Sequence, residues 1–130
     1  MARVFVDTTA IYALLDRDDA HHGDACQALE RLGRARSEPV ITNFIRAECH
    51  ALLLVRLGSE VACRWLAGNV WPTERVTAED EAEAVELIRT HVDQKYSFTD
   101  ATSFAVMKRL RMRKALAFDR HFDQFGCERA

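Results

Sequence analysis

Two short apolar runs, VFV at positions 4–6 and ALAF at 115–118, each stop on an aspartate, Asp7 and Asp119. An apolar run of that length bounded by polar residues reads as a strand buried on both faces, the kind a parallel sheet is made of. In an open parallel sheet, functional groups gather beyond the carboxyl ends of the strands. If these two strands are parallel near neighbours, both carboxylates share one rim. Taken singly, each is also an ordinary turn residue after a strand.

The rest of the chain supports such a sheet. Thr8 or Thr9 is a good N-cap for a helix through AIYALL, which runs to the polar loop DRDDAHH. HHGDACQALERLGR has helical spacing at Ala25, Leu29 and Leu32, and EPVITN reads as a second strand opened by a proline. Asn43 or Thr42 caps the apolar helix FIRAECHALLLVRL, Gly58 ends it, and Ser59 starts another through EVACRWLAGN. WPTERV gives a third strand, and TAEDEAEAVELIRTHV a helix whose acidic first turn suits the helix dipole. YSFTDATSFAVMKRL is a helix with Ser97 or Thr99 near its start, KALAFD a fourth strand, and FGCERA a short fifth. Strands and helices alternate without repeats or linkers. The expected fold is α/β, a single domain over 1–130 with a mainly parallel sheet of about four to five strands covered on both faces.

Composition excludes more than it assigns. No window approaches the roughly 20 apolar residues of a membrane span, and Arg3 and Asp7 interrupt the only apolar run near the N-terminus, so a cytoplasmic protein is expected. The four cysteines are scattered and read as small buried apolar residues, and the five histidines lack zinc-ligand spacing, His121 standing alone. Net charge is −2, which announces no global nucleic-acid field. Locally, residues 74–93 hold seven acids against Arg75 and Arg89, and residues 101–120 hold six bases against Asp119. That pattern predicts one acidic and one basic face.

Two further acids interrupt apolar patterns. At about 100° per residue, Phe44, Ile45, Ala51, Leu52 and Val55 fall within about 60° of Glu48. A glutamate in such a stripe is costly unless paired or metal-bound. Asp100 opens a helix, where the dipole favours an acid, yet Ala101, Phe104 and Ala105 suggest that this end packs on the sheet. Two carboxylates about 4 Å apart repel by roughly 4 kcal/mol at an effective dielectric near 20. A cluster of four therefore calls for cations, and hard divalent ions with oxygen ligands suit it best. Such a centre cuts or transfers phosphate esters.

The stretches VFVDTTAIYALL, TNFIRAECHALL, YSFTDATSFAVMKRL and ALAFDRHFDQFG resemble, in this order, the sequence blocks of PIN-domain ribonucleases, and most closely those of VapC toxins from toxin–antitoxin pairs. The resemblance implies a PIN-like three-layer α/β/α sandwich and a catalytic set of Asp7, Glu48, Asp100 and Asp119. Asp7 and Asp100 would ligate Mg²⁺ or Mn²⁺, Glu48 and Asp119 would complete the pocket and orient the water, and Thr8 would hydrogen-bond near the metal. Cleavage would leave a 5′-phosphate and a 3′-hydroxyl. The implied partners are an RNA substrate, a VapB-like antitoxin that blocks the acidic pocket with a basic residue, and a second copy in a homodimer. Cys127 departs from the resemblance, standing where such toxins often carry an aromatic residue.

Beyond the catalytic set, KRLRMRK at 108–114 offers a path for RNA phosphates toward the pocket. Asp123 reads as a surface acid. The large apolar residues from Phe44 through Trp65, Trp71 and Pro72 suggest core plus an exposed patch for a partner. Other readings are weaker. VFVDTT has one acid where a phospho-aspartate receiver needs a pair, and Thr9 stands where a D-x-D phosphatase needs its second. No Gly-rich phosphate loop occurs. The non-enzymatic alternative is a catalytically silent PIN-like module that binds a partner protein or RNA.

Overall fold

The computed structural model describes residues 2–130. The chain begins in the middle of its own sheet. β1 (Arg3–Val6) is flanked by β2 (Glu38–Thr42) and β4 (Lys114–Leu116), with β3 (Thr73–Glu74) and β5 (Glu128–Arg129) at the edges. All four pairings are parallel, in the order β3-β2-β1-β4-β5. Val4, Phe5 and Val6 are buried because helices cover both faces of β1, which explains an uninterrupted apolar strand. Pro39 is tolerated in β2 because β3 pairs only with Ile41 and Thr42 and leaves it outside that ladder.

Seven helices connect the strands: α1 (Thr8–Leu15), α2 (His22–Arg34), α3 (Asn43–Leu57), α4 (Ser59–Gly68), α5 (Ala78–Thr90), α6 (Phe98–Arg109) and α7 (Arg120–Phe125). Their starts are chemically marked. The Thr42 hydroxyl accepts from the Ile45 N–H, and Thr77–Asp80 and Ser97–Asp100 are complete capping boxes. α1 departs from expectation, since its cap is Asp7 rather than a threonine. α3 stops where Gly58 takes φ 95° and ψ 166°, a conformation open only to glycine.

Two expected strands are shorter than their apolar runs. β3 keeps two residues of WPTERV, and β4 ends at Leu116, so Ala117 and Phe118 leave the ladder before Asp119. The six residues of α7 were not expected at all. Phe122 anchors that helix, nearly fully buried against Phe5 and Phe104, with ring centroids 6.1 and 4.9 Å away. Burying such a ring contributes about 2–3 kcal/mol, enough to hold a helix too short to persist alone.

Candidate active site

β1 and β4 are neighbours on which the strand order diverges, and their carboxyl ends open on one cavity of about 340 Å³. Asp7 leaves β1 with its backbone N–H still donating to Leu116 O at 3.0 Å, so the two strand exits are locked together. Its carboxylate accepts from the Thr9 hydroxyl at 2.8 Å and from the Thr9 N–H at 3.3 Å. The same hydroxyl accepts from the Phe118 N–H at 3.0 Å. Thr9, which the sequence marked as a candidate helix cap and as the place of an absent second acid, thus ties Asp7 to the segment that carries Asp119. Thr8 is buried beside them, and its hydroxyl has no hydrogen-bond partner among the described residues.

Asp100 and Asp119 come from two further helix starts. Asp100 Oδ2 accepts from the Ser97 N–H at 3.2 Å, and Asp119 Oδ1 accepts from the His121 N–H at 2.9 Å as the cap of α7. His121 joins the two acids: its Nδ1 lies 2.8 Å from Asp100 Oδ2 and 3.3 Å from Asp119 Oδ1. Asp100, Asp119 and His121 together offer three metal-ligand atoms within 4.8 Å of one another. The sequence reading, which left His121 alone, missed it because α7 was missed. Its i+2 position after Asp119 was the available signal. Tyr96 packs edge-on against the imidazole at 5.4 Å and fixes its plane.

Glu48 lines the same cavity, but not as a buried stripe residue. The side of α3 that packs inward is Ile45, Cys49 and Leu53, while Glu48 is exposed at the cavity mouth and Val55 is fully in solvent. The wheel mistook a helix buried along one narrow seam for one with a broad apolar face. Lys95 is the one cation among the residues lining the cavity, exposed and in the left-handed conformation at φ 58°.

The electrostatics fit a divalent cation. Asp7 is 2% exposed, and burial pushes its carboxyl up to about 7. Thr9 opposes the shift by hydrogen bonding, while Asp100 and Glu48 add to it. A buried acid that the two Thr9 hydrogen bonds do not bring back to its ordinary range suits a cation beside it. The donor set is mostly carboxylate oxygen with one imidazole, and the unpartnered Thr8 hydroxyl leaves a donor free for a ligand. This matches the preferences of Mg²⁺ and Mn²⁺.

The basic stretch does not lead here. Lys108 and Arg109 close α6, eight and nine residues and about 12–14 Å of helix from Asp100, and Lys114 opens β4 on the opposite rim from Asp119. The expected acidic and basic faces pair with each other in part, while Arg111, Arg113 and Lys114 stay exposed together at the other rim. Arg109 binds Asp80 with 3.0 Å contacts and Glu74 at 3.0 Å, and Lys108 binds Glu83 at 2.9 Å. Asp123 is a surface acid as expected, paired with Arg129. Cys49 is buried, Cys26 and Cys127 are half-buried, and Cys63 is exposed, so burial holds for only part of the set. Cys127 is accommodated against Met107, with β5 in parallel register beside β4.

Residues 4–126 match the PIN domain family. The 23S rRNA-specific endonuclease VapC20 of Mycobacterium tuberculosis, from strains CDC 1551 / Oshkosh and ATCC 25618 / H37Rv, is 39% identical over 127 residues. That alignment covers 95% of this chain and 94% of the relative. The crystal structure of M. tuberculosis VapC20, described as a sarcin-ricin loop cleaving toxin, superposes with a TM-score of 0.84 at 35% identity, covering 96% of each chain. The chain belongs to the PIN-domain family. Within it, this is a nuclease of the VapC toxin type.

Proposed function

We propose that the protein is the toxin of a toxin–antitoxin pair and hydrolyses RNA with Mg²⁺, or Mn²⁺ in its place. The observation that carries this is the convergence of Asp7, Glu48, Asp100 and Asp119 on one cavity beside an unpartnered hydroxyl. Asp7 and Asp100 would hold the ion, and His121 orients Asp100 and Asp119 through Nδ1. When bound, the ion supplies Lewis acidity to an attacking water and to the phosphoryl group. Glu48 at the mouth accepts the proton of that water, with Asp119 fixing its position. The Thr8 hydroxyl donates to a phosphoryl oxygen, and Lys95 holds an adjacent phosphate by charge. In-line displacement leaves a 5′-phosphate and a 3′-hydroxyl.

The substrate is ribosomal RNA at the sarcin-ricin loop, supported by similarity to VapC20 over nearly the whole of both chains. A VapB-like antitoxin silences the enzyme by offering a basic residue to the acidic cavity. Exposed Leu54 and Val55 on α3 support a homodimer contact. No helix among the described residues is long and apolar enough to cross a membrane, in keeping with an enzyme that works on ribosomes in the cytoplasm.

The test is cleavage of total cellular RNA with Mg²⁺, Mn²⁺ or EDTA, beside Asp7→Ala. A discrete large-subunit fragment that vanishes with EDTA and with the variant is expected. RNA left intact by folded, metal-loaded protein would instead favour the catalytically silent binding module.

A further inference from the structure

We infer that His21 and Phe118 form a stacking site for one unpaired nucleobase of the RNA strand that enters the acidic cavity, an inference resting on the nuclease reading above. The two rings lie 4.5 Å apart and only 8° from parallel. Phe118 is half-buried beneath, and His21 is exposed above it, so the outer imidazole face is open to solvent. Phe118 immediately precedes Asp119, and its backbone N–H is bound to the Thr9 hydroxyl that also holds Asp7. The stack is therefore fixed to the acids rather than to a drifting loop.

The segment carrying His21 is preorganised. Tyr12 binds Asp16, the Asp18 N–H donates to Asp16 at 2.9 Å, and the His21 N–H donates to Asp19 at 3.0 Å. These bonds hold the His21 backbone and none of them uses its ring, so the imidazole is positioned while its outer face is left for stacking. Flat aromatic faces bind unpaired bases with little sequence preference, whereas duplex RNA presents no free base face. Phe118 also lines a groove of about 190 Å³ with Gln27 and Arg31, an amide and a cation suited to the next nucleotide. The site would thus select single-stranded or loop RNA at the position beside the cut.

His21→Ala is the direct probe, because the side chain is exposed and makes no capping bond to α2. A single-stranded RNA carrying 2-aminopurine is titrated with wild-type protein in Ca²⁺, which fills the acidic cavity. Wild type is expected to quench the probe, and His21→Ala to bind roughly tenfold more weakly without the quench. His21→Trp should restore both. In cleavage, His21→Ala should raise KM with kcat within about twofold of wild type. Equal affinity and quench for wild type and His21→Ala overturn the stacking site, even if wild type cuts total RNA and the nuclease reading stands. A His21-dependent quench in a protein that cuts no RNA overturns the nuclease reading and keeps the site.

Discussion

Asp7 is held where an ionised carboxylate is costly, and that cost measures how strongly the cavity attracts a cation. Replacing it with Asn keeps an acceptor for Thr9 and removes the charge. At pH 8, metal-free Asp7→Asn should be more stable than wild type by on the order of 1–3 kcal/mol, read as a rise in Tm. Its RNA cleavage should fall at least about a hundredfold. Lower stability in the variant would mean that the buried charge is already balanced. Lys95 shows the same opposition between stability and function. A lysine at φ 58° is strained where glycine is not. Lys95→Gly should gain about 0.5–1 kcal/mol while raising KM for RNA. If KM does not move, the lysine holds no phosphate.

Among the elements, α5 and α6 pack side by side, and Arg109 bridges them. Burial alone would raise the Asp80 carboxyl, but the Arg109 guanidinium and Thr77 hold it below the usual carboxylate range. Arg109→Ala strands that buried carboxylate. It should cost about 2 kcal/mol and lower Tm by roughly 5–10 °C. Cleavage at 20 °C should be unchanged, whereas loss of RNA binding at full stability would return Arg109 to the substrate path. The sequence showed the charges here but not their partners, because pairing between residues 80 and 109 depends on tertiary contact. The parallel sheet was legible, and so were Asp7 and Asp119 beyond its strand ends, since each is written in a local pattern, whereas the capping boxes at Thr77 and Ser97 went unread. α7 was not legible: six residues show too little periodicity, and its anchor Phe122 is recognised only against Phe5 and Phe104. His121 was lost with it, and Glu48 was selected for a burial it does not have.

At the scale of the whole molecule, fold and metal compete for the same carboxylate. The Asp7 carboxyl stands at about 7 when folded, against 3.8 as its ordinary value. Between those values the folded chain binds more protons than the unfolded one. The group's contribution is therefore fully present below pH ~4 and is lost as pH rises through about 7. From pH 6 to pH 8 the metal-free protein should lose about 1 kcal/mol from this source, or roughly 5 °C in Tm. A bound divalent ion reverses the slope, because it needs Asp7 ionised and must displace a proton at pH 6 but hardly at pH 8. The Tm gain on adding Mn²⁺ should accordingly be larger at pH 8 than at pH 6, with protons released at the lower pH and measurable by calorimetry in buffers of different ionisation enthalpy. Asp7→Asn serves as the control for every other titrating group, and in it both the metal-free slope and the difference in Mn²⁺ gain should shrink. A Mn²⁺ gain equal at the two pH values, or unchanged in Asp7→Asn, would place the ion away from Asp7 and onto Asp100, Asp119 and His121 alone.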